Sequence, residues 1–345
     1  MKIGILTFHW ATNYGAVLQA FALQAYLESR GHKVEVINFK PRSYDLNILY
    51  LLRHPSQIMK LKAFVQRIRK EKLIDTFRQN YLHLTPRVSE GIQIDGLGHY
   101  DAVITGSDQV LNPSFALYGE GKPTGVYFLN TIRRNTKRIA YAVSFGCKEY
   151  PGEVSRFAER WIRDFAQIGV RENSGVQIVK QLGYTGKTIV VPDPVVLNGR
   201  NVIMPLIKTE SKHQDYICIY TLRRKVELKN EHVIILDDVH APITMEEWLT
   251  TIANAKVLVT NSYHGMIVAI LCHVPFVVDI EKNRGSGMND RFFTLLERIG
   301  LTNRIADEQK DIERLLDDNN IDWEAVEGNM NTFRNDGKSF LENLG

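Results

Sequence analysis

The apolar run Val257-Leu258-Val259 leads into Thr260-Asn261-Ser262-Tyr263-His264-Gly265, and a helical stretch follows from Met266 to Leu271. An imidazole at a helix start lies beside backbone N–H groups without intrahelical acceptors, a setting that favours a phosphate or carboxylate. Histidine titrates near neutral pH, so a positioned His264 could give or take a proton at a useful rate. Ordinary structure explains the same residues equally well: Asn261 or Ser262 suits a helix N-cap, and a single histidine is as often a structural hydrogen-bonder. Further on, Lys282 and Arg284 stand in a glycine-containing loop, with Arg291 shortly after. These cations could close over an anion, or simply charge a solvated loop.

Three other segments carry useful groups. Arg171 ends the run Ile168-Gly169-Val170 just ahead of Glu172-Asn173-Ser174, where its guanidinium could clamp a carboxylate or phosphate, or pair with Glu172. Gly106-Ser107-Asp108-Gln109 follows another apolar run, and Asp108 could orient a sugar hydroxyl or cap a turn. Asn13-Tyr14-Gly15 opens the first helix in the same way. No P-loop, GxGxxG fingerprint or zinc-ligand pair is present, so nucleotide hydrolysis, NAD chemistry and metal catalysis find no support.

These segments share a position. Ile3 to Thr7 reads as a buried strand, Ala16 to about Arg30 as a helix stopped by Gly31, and Lys33 to Phe39 as a second strand. A strand-helix-strand crossover of this length implies a parallel sheet. The alternation continues to about Val191, then Pro192, Pro194, Gly199 and Pro205 interrupt it. A second strand-helix set follows from Tyr216 to Asp279, and the tail from Asp322 reads as helical. The expected organisation is α/β: a Rossmann-like domain over 1–200, a second over 201–320, and a C-terminal helix over 321–345 that crosses back to the first. In such sheets ligands bind beyond the carboxyl ends of the strands. Thr7 to Gly15, Gly106 to Pro113, Gly169 to Ser174 and Asn261 to Gly265 all lie there.

Bulk properties narrow the function. At 345 residues, two cores are expected, and 44% hydrophobic with 24% charged residues is ordinary for a soluble globular chain. A formal charge of +4 is too mild to imply nucleic-acid binding. Cys147, Cys218 and Cys272 form no CxxC pair and read as buried reduced thiols. The opening residues lack the pattern of a signal peptide, and no run is long enough to span a bilayer, so a cytoplasmic location is expected. Residues 58–80 carry seven basic against two acidic residues, with Ile58, Leu61, Phe64, Val65 and Ile68 at helical spacing. That segment suits either an anionic membrane surface or a solvated helix packed on the domain.

Taken in order, Asn13-Tyr14-Gly15 with Val17-Leu18-Gln19, Gly106-Ser107-Asp108-Gln109, Tyr141 to Gly146, Val170 to Ser174, Pro192-Asp193-Pro194 and Ser262-Tyr263-His264-Gly265 resemble the polysaccharide pyruvyl transferases. The resemblance implies a GT-B-like fold, two Rossmann-type doubly wound domains facing a cleft. It implies transfer of pyruvate from phosphoenolpyruvate to two hydroxyls of a sugar, making a cyclic ketal in capsule or exopolysaccharide synthesis. Phosphoenolpyruvate is a co-substrate, with no resident cofactor and no metal. His264 matches the family's motif histidine and becomes the candidate acid, while Arg171 matches an arginine associated with holding the donor. Asn13, Tyr14, Ser107, Asp108 and Gln109 would face the acceptor. In some members the motif reads Arg-Leu-His, whereas Ser262 and Tyr263 stand at those positions here. The missing charge would then come from Lys282, Arg284 or Arg291, with backbone N–H groups at the turn such as that of Gly265. A basic 58–80 segment would suit a lipid-linked acceptor. Two other readings share the fold or the partner: a GT-B glycosyltransferase using a nucleotide sugar, and a non-catalytic sugar-binding protein of polysaccharide assembly.

Overall fold

The computed structural model describes residues 1–45, 61–115, 124–133, 135–208, 214–222, 226–228, 232–237, 239–280, 287–318, 320–342 and 344. Lys282, Arg284 and residues 58–60 of the basic segment lie outside them.

The chain starts with β1 (Lys2–Leu6), whose apolar residues are buried, and turns into α1 (Tyr14–Ser29). Asn13 caps that helix, its Oδ1 accepting from the Ala16 N–H at 3.2 Å. Gly31, at φ +84°, supplies the left-handed turn that sends the chain into β2 (Lys33–Val36). Next come α2 (Leu61–Tyr81), β3 (Ala102–Thr105), β4 (Lys137–Val143), α3 (Gly152–Ile162), β5 (Gln167–Val170), α4 (Asn173–Gln181) and β6 (Thr188–Val190). Six parallel strands form one sheet in the order β2-β1-β3-β4-β5-β6.

Two short helices, α5 (Pro194–Asn198) and α6 (Arg200–Ile203), lead to the second sheet. It is built from β7 (Ile217–Tyr220), β8 (Val233–Ile235), α7 (Met245–Ala253), β9 (Val257–Thr260), α8 (Tyr263–Leu271), β10 (Phe276–Asp279), α9 (Asp290–Ile299), β11 (Ile305–Ala306) and α10 (Gln309–Asp317). Its strands are again parallel, in the order β11-β10-β9-β7-β8. Strands β9 and β10 and all nine residues of α8 are buried, as expected where both faces of a parallel sheet are covered. In each sheet the first strand lies between the second and the third, so each has a switch point. The loops after β1 and β3 flank one crevice, and the loops after β7 and β9 flank the other.

The last helix, α11 (Trp323–Glu342), returns to the first sheet. Phe340 packs on Tyr141 with ring centroids 5.7 Å apart, and the Lys137 ammonium donates to the Leu344 carbonyl at 2.9 Å. Gly337 has no room for a side chain, since a Cβ would come within 2.8 Å of the Tyr141 hydroxyl. Arg298 of α9 reaches Asp336 of the same helix at 3.3 Å, so α11 touches both halves.

Two expectations are corrected. Arg78 of the basic segment is not a solvated charge: it is buried, and its guanidinium donates to the carbonyls of His9, Trp10 and Ala11 at 2.8, 2.9 and 2.9 Å. Loop carbonyls without a local partner take up a charge that the linear sequence assigns to the surface. Arg67, Arg69 and Lys72 do face solvent. Of the three free thiols only Cys218 is buried; Cys147 and Cys272 sit at loop and helix ends and are half-buried.

Candidate active site

Four strand ends converge on one charged cluster between the sheets. β5 ends in Arg171, β6 runs into Asp193, β3 into Ser107 and Asp108, and β9 into the turn that carries His264. Asp193 is the hub. Its Oδ1 caps α5 by accepting from the Val195 N–H at 2.9 Å. Its Oδ2 accepts from the Ser107 hydroxyl at 3.1 Å, lies 3.1 Å from Arg171 Nη2, and lies 3.4 Å from His264 Nε2. Arg171 Nη2 also donates to the Ser107 hydroxyl, and its Nη1 is 3.8 Å from Asp108 Oδ1. Ser107 is held from behind, its carbonyl accepting from Thr7 Oγ1 at 2.8 Å, which in turn accepts from Gln19 at 2.9 Å.

The two buried carboxyls of this cluster behave oppositely. Burial works against ionisation of Asp193, yet Arg171 and His264 hold its carboxyl well below the usual carboxylate range. Glu172 is also buried, and here burial prevails over Arg171 and keeps the carboxyl above its ordinary value. Arg171 loses solvation too, but Asp193 and Asp108 more than restore its charge.

Several buried polar atoms in the cluster have no hydrogen-bond partner among the described residues: Arg171 Nε and Nη1, Arg291 Nε, His264 Nε2 and Glu172 Oε2. The 3.4 Å contact of His264 Nε2 with Asp193 is at ion-pair distance and outside strict hydrogen-bond geometry, so that nitrogen is held electrostatically and not by a full hydrogen bond. Unsatisfied buried guanidinium nitrogens cost free energy unless an anion meets them. Arg171 and Arg291 stand at equal distances from the Tyr263 ring, 5.3 Å each, so both cations meet the same aromatic ring. Burial, followed by the nearby Arg171, lowers the pKa of Arg291, as expected of like charges awaiting a counter-ion.

The other side of His264 rests on α1. A Cβ at Gly15 would overlap the imidazole, so only glycine lets the helix start approach the ring. The catalytic candidate therefore belongs to the second sheet and its supports to the first.

Of the residues expected to meet the donor, Arg171, Tyr263 and Arg291 are brought together beside His264. Ser262 is an N-cap, its hydroxyl accepting from the Gly265 N–H at 3.3 Å. The backbone N–H of Gly265 is thereby directed at the Ser262 hydroxyl. Asn261 instead closes the loop after β7, accepting from the Leu222 N–H at 2.6 Å and donating back to its carbonyl at 3.1 Å.

The acceptor group divides. Asp108, half-buried at φ +80°, faces the cluster. Tyr14 has its ring fully buried and stacked on Trp248 at 5.2 Å, and its hydroxyl donates to the Ile243 carbonyl at 2.7 Å. Ser107 is likewise committed to Asp193 and Arg171 and leaves no exposed hydroxyl. Gln109 is buried and accepts from Asn112 at 2.7 Å, and the Asn13 side chain caps α1. Sequence reasoning gave no role to Asp193 or Gly15, and to Glu172 only that of pairing with Arg171. An Asp between two prolines, at a strand end and ahead of a helix, was the available signal for Asp193.

Comparison with known proteins places these features. The polysaccharide pyruvyl transferase family matches residues 13–278, a span that includes Gly15, Arg171, Asp193 and His264. No curated protein is significantly similar in sequence. Among solved structures, a protein assigned as a UDP-N-acetylglucosamine 2-epimerase from Listeria monocytogenes superposes with a TM-score of 0.54 at 8% identity, over 96% of this chain and 90% of its own. The UDP-N-acetylglucosamine 2-epimerase of Rickettsia bellii gives 0.53 at 9% identity, over 99% and 95%. At such identities the likeness speaks for the fold alone, two parallel α/β sheets in a GT-B-like arrangement. With the ordered motifs and the residues of the cluster inside the matched span, the chain belongs to the polysaccharide pyruvyl transferase family.

Proposed function

We propose that this protein transfers the pyruvyl group of phosphoenolpyruvate to two hydroxyls of a sugar, forming a cyclic ketal and releasing phosphate. The observation that supports it most is a pair of guanidiniums with buried N–H groups unmet among the described residues, on fully buried Arg171 and half-buried Arg291, set beside an imidazole held by Asp193 at ion-pair distance only. Phosphoenolpyruvate carries a carboxylate and a phosphate, which two such cations suit. His264 gives its Nε2 proton to the methylene carbon, and the neighbouring carbon becomes an oxocarbenium-like electrophile. Asp193, kept ionised, stabilises the imidazolium before the transfer and fixes the ring against Gly15. Low solvent access strengthens each of these interactions.

Asp108 lies beside the cluster and is the acceptor-side residue that this reading retains. The acceptor is a precursor of capsule or exopolysaccharide, carried on a lipid at the inner face of the cytoplasmic membrane, where the exposed Arg67, Arg69 and Lys72 of α2 would meet anionic headgroups. No helix among the described residues is long and apolar enough to cross a bilayer, so such contact would be peripheral.

The test is incubation with phosphoenolpyruvate and a panel of lipid-linked sugars. A pyruvate-sized mass gain on one sugar, with stoichiometric phosphate release, is expected. Turnover of a nucleotide sugar without any requirement for phosphoenolpyruvate would replace this reading with glycosyl transfer.

A further inference from the structure

Glu172 has no role in the reaction as drawn so far, yet its position is unusual. It follows Arg171 directly and precedes the first turn of α4. Its Oε1 is fixed, accepting from the Phe145 N–H at 2.8 Å. Among the described residues its buried Oε2 meets no partner at strict hydrogen-bond geometry; the Ser144 hydroxyl is close enough to favour the carboxylate, but burial outweighs it. A carboxylate with one oxygen anchored and the other bare is expensive inside a protein unless something polar arrives there. Around it stand Arg171 on the same strand end, Arg291 from α9, Tyr263 from α8 and Cys147 after β4. The N–H groups of Asn173 and Ser174, which might have served Glu172, are instead taken by Thr294 at 3.2 Å and Asp290 at 2.9 Å from α9.

Resting on the reaction above, we propose that Glu172 is its second proton-transfer residue, taking the proton of the first attacking hydroxyl onto Oε2 and passing it to the departing phosphate. The balance requires such a group. His264 spends its proton on the methylene carbon. The first hydroxyl then forms its C–O bond and sheds a proton, which Glu172 accepts. When the bond to phosphate breaks, the leaving oxygen keeps the electron pair and receives that proton, so Glu172 is ionised again. The second hydroxyl adds to the resulting oxocarbenium and its proton restores the His264 imidazolium. Two hydroxyl protons leave, one to phosphate and one to histidine, and the methylene becomes a methyl group. Asp193 cannot substitute, because its oxygens are already shared among Val195, Ser107, Arg171 and His264. The upward shift of the Glu172 carboxyl suits a group that must be protonated and deprotonated within one cycle.

The experiment compares wild type with Glu172→Gln, which keeps an oxygen for the Phe145 N–H. Phosphate release is measured against pH with phosphoenolpyruvate and the sugar found in the panel, and phosphoenolpyruvate affinity is measured separately by calorimetry. The expected result is a fall in kcat of about 100-fold or more, affinity within threefold, and loss of the limb in which kcat rises as the carboxylate ionises. If the Gln variant does not fold, Glu172→Asp is used, which should keep that limb while losing about tenfold in kcat. A Gln variant with kcat within threefold of wild type, or an acid limb unchanged in it, overturns the proposal while leaving pyruvyl transfer standing. A wild type without phosphoenolpyruvate-dependent phosphate release overturns the reading beneath it as well.

Discussion

Arg171 and Arg304 are both buried with no solvent exposure of the side chain, one just after β5 of the first sheet and one just before β11 of the second. Their surroundings differ completely. Arg304 donates from Nε to the Phe276 carbonyl at 2.8 Å, from Nη1 to that of Asp318 at 2.7 Å and from Nη2 to that of Leu315 at 3.0 Å. It closes the end of α10, where helix carbonyls lack partners. Arg171 makes ion pairs with Asp193 and Asp108 but leaves Nε and Nη1 without a hydrogen bond among the described residues. Burial alone therefore says little about function. The distinction lies in whether the fold has used every donor.

That contrast can be broken experimentally. The largest effect is expected from Arg171→Lys, which keeps the charge and removes the fork. It should lower kcat/KM for phosphoenolpyruvate by about 100- to 1,000-fold, or about 3–4 kcal/mol, with little change in Tm. A variant that melts early yet turns over normally would erase the contrast. Arg304→Met should do the reverse. Three carbonyl partners are lost, so stability should fall by about 3 kcal/mol in denaturant titration, while kcat/KM of the folded enzyme stays unchanged.

Asp193→Asn sharpens the picture through pH. Because the folded carboxyl is held below its unfolded value of about 3.9, its contribution is present above that pH and is lost as pH falls. Wild type should lose on the order of 2 kcal/mol from about pH 5 downward through this group, and acid unfolding of the Asn variant should be correspondingly shallower. The smallest effect is expected from Gly15→Ala. The added methyl displaces the His264 ring and should cost about tenfold in kcat, near 1.4 kcal/mol, with phosphoenolpyruvate affinity retained.

Much of the architecture was legible in the sequence, because parallel strands covered on both faces read as short apolar runs. Val257 to Thr260, Phe276 to Asp279 and the Gly31 stop needed no tertiary information. Arg171 and His264 stood out for the same reason, each placed immediately after such a run. What stayed hidden depends on pairings distant in sequence. Ser107 and Asp193 are 86 residues apart, and Asp193 gains its meaning only when β3, β5, β6 and β9 end together. The surroundings of Tyr14 were hidden for a related reason: nothing nearby announces that Trp248 and Ile243 will take both its ring and its hydroxyl. Arg78 looks like any other cation of a basic stretch until the loop after β1 folds over it.

The close seat of His264 on Gly15 has a bearing on how damage to this protein will present itself. His264 rides on one half of the molecule, and its carboxylate partner Asp193 and its backstop Gly15 ride on the other. A slip of about an ångström between the halves suffices to misalign such a pair, and misalignment of that size can cost from about tenfold up to about 100-fold in rate. Substitutions along the contact between α1 and α8 should then silence the enzyme while its melting curve still looks healthy. Turnover serves as the finer gauge of whether the two halves are in register.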